Sequence, residues 1–207
     1  MALPAFFYFD LGNVLLFFDH QRGCRQMGEV AGVDPRQVWQ VLYDSGLAHE
    51  YESGRVSSRN VFDTFCEQTG SQPDFDALMR AAGDIFEVNA GIKPVLAGLL
   101  SAGKRLGLLS NTSEAHWNWF SNDRFGLIPG AFERVVLSFE VGAMKPEEKI
   151  FRVAIEQAGV PAAEIFYVDD TPGHVNAALA LGIDAVHYTS TAALAAELRK
   201  RGVEFNY

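Results

Sequence analysis

The 207-residue chain is poor in cysteine, in basic charge and in long apolar runs. Its two cysteines, Cys24 and Cys66, lie far apart with no CxxC spacing, and read as reduced, partly buried thiols of a cytoplasmic protein. Lys and Arg number 17 against 26 Asp and Glu, a formal net charge of −9. That balance argues against a nucleic-acid partner, which needs a basic footprint. An anionic substrate stays open, because one lysine or metal ion overrides the global sign locally. No segment approaches the length of a membrane span. The greasy N-terminus lacks a preceding Lys or Arg, and Asp10 and Asn13 interrupt it, so it does not read as a signal peptide. Neither repeats nor low-complexity tracts are visible. The expectation is a soluble, cytoplasmic chain with no membrane partner, its oligomeric state unknown.

What is present is ordinary in bulk, 48% hydrophobic and 21% charged residues, enough for one large domain or a domain with an insertion. The local exception is FFYFDLGNVLLFF, Phe6 to Phe18, an apolar run with one acid, Asp10, in its middle. A buried carboxylate is costly unless it is paired or bound to a cation. Asp10 therefore either has a structural partner or does chemistry at the end of a buried strand.

Five short apolar runs read as strands of a buried parallel sheet: residues 5–9, 105–110, 134–138, 165–169 and 184–188. Helical segments separate the last four, at 112–120, 147–158 and 174–181, and another closes the chain at 191–201. Pro146 suits the first helical position of the second. This alternation predicts an α/β fold, a doubly wound parallel sheet of Rossmann-like type. Residues 20–86 read instead as helices and turns with no strand pattern. Asp34 and Pro35 open one helix that Gly46 stops, and Trp39 and Tyr43 read as its core face. The expected organisation is a core of 1–18 and 87–207 with a helical cap, 19–86, inserted after the first strand.

In open α/β sheets, ligands bind outside the carboxyl ends of the strands. Those ends carry Asp10, then Ser110, Asn111 and Thr112, then Lys145 before a helix, then Asp169, Asp170 and Thr171. Three carboxylates brought close repel one another unless a cation joins them, and oxygen donors of this kind suit Mg²⁺. A lysine beside Mg²⁺ suits a phosphoryl group, and a carboxylate nucleophile forming an aspartyl-phosphate is an established route. Taken singly, each residue has a plainer role. Asp10 could pair with Lys145, Ser110 or Asn111 could cap a helix, and DDTPG is good turn chemistry.

FDLGNVL, LLSNTSE, GAMKPEEKIF and FYVDDTPGHVNAALALG together resemble, in order, the four motifs of the haloacid dehalogenase-like hydrolase superfamily. The segment YESGRVSS resembles its capped, sugar-phosphatase-like branch. The resemblance implies Asp10 as nucleophile and metal ligand, with Gly12 offering a backbone carbonyl. It implies Ser110 and the Asn111 backbone as holders of phosphoryl oxygens. Lys145 would neutralise the phosphate, Asp170 would ligate Mg²⁺ directly, and Asp169 would ligate it through water or from behind. The family's usual second aspartate, a general acid and base, is replaced here by Gly12, and His174 stands where Asp or Asn is common.

The expected function is a Mg²⁺-dependent phosphatase acting on a small phosphorylated metabolite, a sugar phosphate among the options. A metal-independent 2-haloacid dehalogenase, a phosphomutase and a non-catalytic phosphoryl-ligand binder are the alternatives. Glu50, Tyr51 and Arg55, and Asp19 to Arg22, are candidates for facing the site from the insertion. His20, His49, His116 and His187 show no ligand spacing and receive no role.

Overall fold

The computed structural model describes residues 3–122, 124–126 and 128–205. Seven strands lie among them: β1 (Phe6–Phe9), β2 (Leu16–Phe18), β3 (Phe86–Val88), β4 (Arg105–Ser110), β5 (Arg134–Leu137), β6 (Ile165–Asp169) and β7 (Asp184–His187). Five form one parallel sheet in the order β5-β4-β1-β6-β7. β1 is central, and all four of its residues are buried. Its pleat sends Phe7 and Phe9 into one apolar layer and Phe6 and Tyr8 into the other. Both faces are covered, so the run is apolar without alternation. Gly107 in β4 leaves room for this packing, since a Cβ there would stand 2.4 Å from the Tyr8 ring and 2.5 Å from that of Phe6.

The helices are α1 (His20–Ala31), α2 (Pro35–Trp39), α3 (Leu47–Glu52), α4 (Ser58–Thr69), α5 (Phe75–Gly83), α6 (Lys93–Ser101), α7 (Glu114–Phe120), α8 (Ser138–Val141), α9 (Glu148–Ala158), α10 (Pro172–Ala180) and α11 (Thr191–Lys200). The first five fall between β2 and β3 and share their own apolar cluster around Met27, Val38, Phe65 and Leu78. Local chemistry sets their ends. Asp34 accepts from the Arg36 amide, Ser57 forms a reciprocal capping box with Asn60, and Asp74 accepts from the Ala77 amide.

Four expectations need correction. β2 and β3 pair antiparallel at the two ends of the helical segment, which is not strand-free. Three-residue strands are too short to display a period of two. The helix opened by Pro35 passes at Gln40–Asp44 into a π-helical turn. Its inward positions are Val38, Val41 and Leu42, so Trp39 stays 36% exposed and stacks on Tyr43. α9 starts at Glu148 with Glu147 as N-cap, and Pro146 lies in the preceding turn rather than at the first helical position. The cap of α7 is Ser113, not Ser110 or Asn111, whose polar groups point elsewhere. No helix among the described residues is long and apolar enough to cross a membrane.

Candidate active site

The register of the sheet brings the site together. Phe9 of β1 lies level with Leu108 of β4 and Val168 of β6, so Asp10 and Asp169 emerge side by side at the carboxyl edge, with Ser110 one residue further along β4. The Asp10 amide donates to the Val168 carbonyl at 2.9 Å, continuing the ladder by one residue. The chain fills positions on one side of β1 with β4 and β5, then crosses to β6, so Asp10 and Asp169 flank the topological switch point.

Lys145 is the hub. Its ammonium donates to Asp10 Oδ1 at 2.7 Å, to Asp169 Oδ2 at 2.7 Å and to the Leu109 carbonyl at 3.0 Å, which uses all three protons. Its side chain is 1% exposed. The Asn111 side chain fixes the lysine's backbone in both directions: Nδ2 donates to the Lys145 carbonyl at 2.9 Å, and the Lys145 amide donates to Oδ1 at 2.8 Å. That side chain is therefore committed to the lysine turn.

The two neighbouring aspartates differ. Asp169 is fully buried and its carboxylate accepts from Lys145, Tyr167 Oη, the Thr171 amide and His174 Nδ1. Burial alone would raise its pKa, but these donors, Lys145 foremost, hold it well below the usual range. Asp170 points outward, accepting from Asn13 Nδ2 at 2.9 Å and from Thr171 Oγ1 at 3.3 Å. One carboxylate oxygen from each of Asp10, Asp169 and Asp170 lies within 4.8 Å of the others. For Asp10 both recorded hydrogen bonds, from Lys145 and the Leu11 amide, fall on Oδ1. Burial pushes its carboxyl up to about 6 against the pull of Lys145, and the Asp169 charge adds to the rise. Three carboxylates thus meet beside one ammonium, which bonds Asp10 and Asp169 but not Asp170, so by formal charge the cluster carries two negative charges in excess.

A cavity of about 220 Å³ opens over this edge, bounded by Asp10, Gly12, Ser110, Thr112, Lys145 and Asp170 on the core side. Ser110 is 1% exposed, and the buried Thr112 hydroxyl has no hydrogen-bond partner among the described residues. At Gly12 a Cβ would stand 2.9 Å from the exposed ring edge of Phe18 and its φ is not left-handed; the left-handed residue of this turn is Asn13, with φ 55°. β2 adds Phe18 to the wall, the helical segment adds His20 and Glu52, and α7 adds His116. Of the insertion residues singled out in the sequence, Glu50 and Arg55 pair with each other on the surface at 2.6 Å. Asp19 and Arg22 pair with Arg25 and Asp84 outside this cavity.

Sequence reasoning missed Asn13, Glu52 and His116, whereas His20, within the stretch Asp19 to Arg22 singled out in the sequence, does line the cavity. Asn13 and Glu52 lie within FDLGNVL and YESGRVSS, which carried the signal without saying which side chain faced inward. Burial, with His20 adding to it, pushes His116 down to about 3, so it stays neutral. Burial pushes Glu52 the other way, from an ordinary 4.5 to about 7. The folded chain then holds a proton between those two pH values that the unfolded chain has released, so stability falls as pH rises through that window. Melting scans from pH 4.5 to 8 should show Glu52→Gln gaining stability over the wild type as pH rises. A parallel pair of curves would refute a half-buried, unpaired Glu52.

The chain belongs to the haloacid dehalogenase-like hydrolase family, whose pattern matches residues 9–182. It is 28% identical over 189 residues to a pyrimidine 5'-nucleotidase of Escherichia coli, covering 84% of this chain and 82% of that protein. It is 23% identical over 185 residues to a D-ribitol-5-phosphate phosphatase of Bacteroides thetaiotaomicron, covering 85% and 87%. A crystal structure of a HAD family enzyme from Bacteroides thetaiotaomicron, in complex with magnesium and inorganic phosphate, superposes with a TM-score of 0.77 at 24% identity, over 90% of this chain and 94% of that one.

Proposed function

We propose that the protein is a Mg²⁺-dependent phosphatase that hydrolyses the phosphomonoester of a small polar metabolite through an aspartyl-phosphate on Asp10. The observation that carries this reading is the charge imbalance at the sheet edge: three carboxylates against one buried ammonium, with Asp10 Oδ2 turned away from both of its donors' contacts. Hard oxygen donors carrying two surplus charges fit a divalent cation such as Mg²⁺. Asp10, Asp170 and the Gly12 carbonyl would hold it, and it would supply charge neutralisation to the phosphoryl oxygens. Asp169, already saturated with donors, would serve from behind by fixing Lys145 and His174.

In this reading Lys145 holds Asp10 in place and its positive charge, rather than a free proton, favours the phosphoryl group beside the nucleophile. Ser110, the Asn111 amide and the orphaned Thr112 hydroxyl offer donors for the remaining oxygens. Asp10 attacks phosphorus, and water then hydrolyses the acyl phosphate. Residues 19–86 act as a cap that closes the cavity and selects the leaving group. The relatives' substrates, a nucleotide and a sugar-alcohol phosphate by name, and a cavity of about 220 Å³ support a small metabolite. A metal-free dehalogenase would use the same nucleophile but would leave the surplus charge unneutralised.

Hydrolysis of p-nitrophenyl phosphate should vanish with excess EDTA and return on addition of Mg²⁺. Undiminished activity in excess chelator would sink this reading and revive the dehalogenase.

A further inference from the structure

A leaving alkoxide is a strong base and departs readily only if it receives a proton. Position 12, beside the nucleophile, offers no side chain. The Thr112 hydroxyl is unpartnered but is too weak an acid to serve, and the other ionisable side chains at the core edge are engaged. All three Lys145 protons are bonded, and Asp169 and Asp170 each accept from neighbouring donors. Of the imidazoles, His174 is turned to Asp169, His20 Nδ1 is joined to Tyr43 Oη at 2.9 Å, and His116 is held neutral by burial.

One acid on the cavity wall is uncommitted. Glu52 ends α3 and lines the same cavity as Asp10, and no hydrogen bond or ion pair to its carboxyl is found among the described residues. Its backbone, by contrast, is held firmly to the core. Ser138 Oγ, at the end of β5, donates to the Glu52 carbonyl at 2.5 Å and accepts from the Thr112 amide at 2.9 Å. Two residues on, Gly54 has φ +72° and lies so close to Phe139 that a Cβ would stand 2.1 Å from its carbonyl oxygen. The turn carrying the acid is thus docked on the segment that follows β5, at the same carboxyl edge of the sheet at which Asp10 follows β1. Burial of an unpaired carboxyl also keeps a share of it protonated near neutral pH.

We propose that Glu52 is the general acid and base of the reaction, serving from the insertion the role that Gly12 leaves open. This rests on the phosphatase reading. In the first step Asp10 forms a bond to phosphorus, the bond to the leaving oxygen breaks, and that oxygen takes the Glu52 proton. In the second the Glu52 carboxylate takes a proton from water as the water oxygen bonds to phosphorus and the bond to Asp10 breaks. Inorganic phosphate leaves with Asp10 free and Glu52 protonated again.

The test compares wild type, Glu52→Gln and Glu52→Asp on a series of substituted phenyl phosphates, with p-nitrophenyl phosphate as the best leaving group, and on ribose 5-phosphate. For Glu52→Gln, kcat/KM should fall least on p-nitrophenyl phosphate and by roughly 10²–10⁴-fold on the poorest leaving groups. The loss should steepen with leaving-group basicity. The same variant should release a burst of p-nitrophenol equal to the enzyme present, because the second step lacks its base. Glu52→Asp retains an acid and should recover part of the loss, which also covers the case of a Gln variant that folds poorly. A uniform loss across the series, or none, overturns the assignment. Asp10→Asn run alongside tells that result apart from failure of the phosphatase reading, in which the wild type itself would turn over no monoester and Glu52 would have no step to serve.

Discussion

Asp10→Asn should abolish turnover of every phosphate monoester, by on the order of 10⁴–10⁶-fold in kcat, the scale of removing a nucleophile. The fold should survive. Asparagine has the same size and still accepts from the Leu11 amide and from Lys145 through its carbonyl oxygen. It also removes one negative charge from a site with two in excess, so the melting temperature of the metal-free variant should equal or exceed that of the wild type. Beryllofluoride, a mimic of the phosphoryl adduct, should bind the wild type at Asp10 and not the variant. An adduct on another residue, or a variant with measurable turnover, would refute Asp10 as nucleophile.

The second large effect belongs to Lys145. Lys145→Met keeps the stem and deletes the ammonium that Asp10, Asp169 and the Leu109 carbonyl share. Breaking a buried ion pair by removing one partner typically costs about 3–5 kcal/mol, because the other charge is left uncompensated. For a chain of this size that is a drop in melting temperature on the order of 10 °C. Activity should fall at least as far as on loss of one oxyanion donor, roughly 10²–10³-fold. Combining Lys145→Met with Asp169→Asn should recover part of the stability but none of the activity, since the second change removes the stranded charge without restoring a cation. If the double variant is simply the sum of its parts, the three groups are not the coupled unit described here.

Much of this edge is legible in the sequence. Asp10 interrupts an apolar run, Lys145 precedes a helix, and Asp169 and Asp170 follow a strand. Parallel strands deliver their carboxyl ends to one rim, so residues at those ends meet whatever the details of packing. The short ribbon of β2 and β3 was not legible, because three residues carry no readable period. The start of α9 is not legible either, because Pro146 suits a helix start as well as it suits the turn that Asn111 pins through the Lys145 carbonyl.

The sequence by itself determined the class of fold, the set of acids and the lysine at the rim, and the family. These follow from periodicity and from residues at strand ends, which are local features. Only the tertiary structure decided how the labour is divided among them. It shows that Asp169 is saturated by Lys145, Tyr167, Thr171 and His174 while Asp170 faces outward, a difference set by the turn between β6 and α10 and by Asn13. It also brings Glu52 and His116 to the cavity and leaves Glu50 and Arg55 on the surface. No local pattern encodes that choice. The facing side chain of a helical insertion depends on how the insertion docks, and here Glu52 is placed by Ser138, Phe139 and Gly54 and by the Ala115 amide donating to Tyr51 Oη, contacts between residues far apart in the chain.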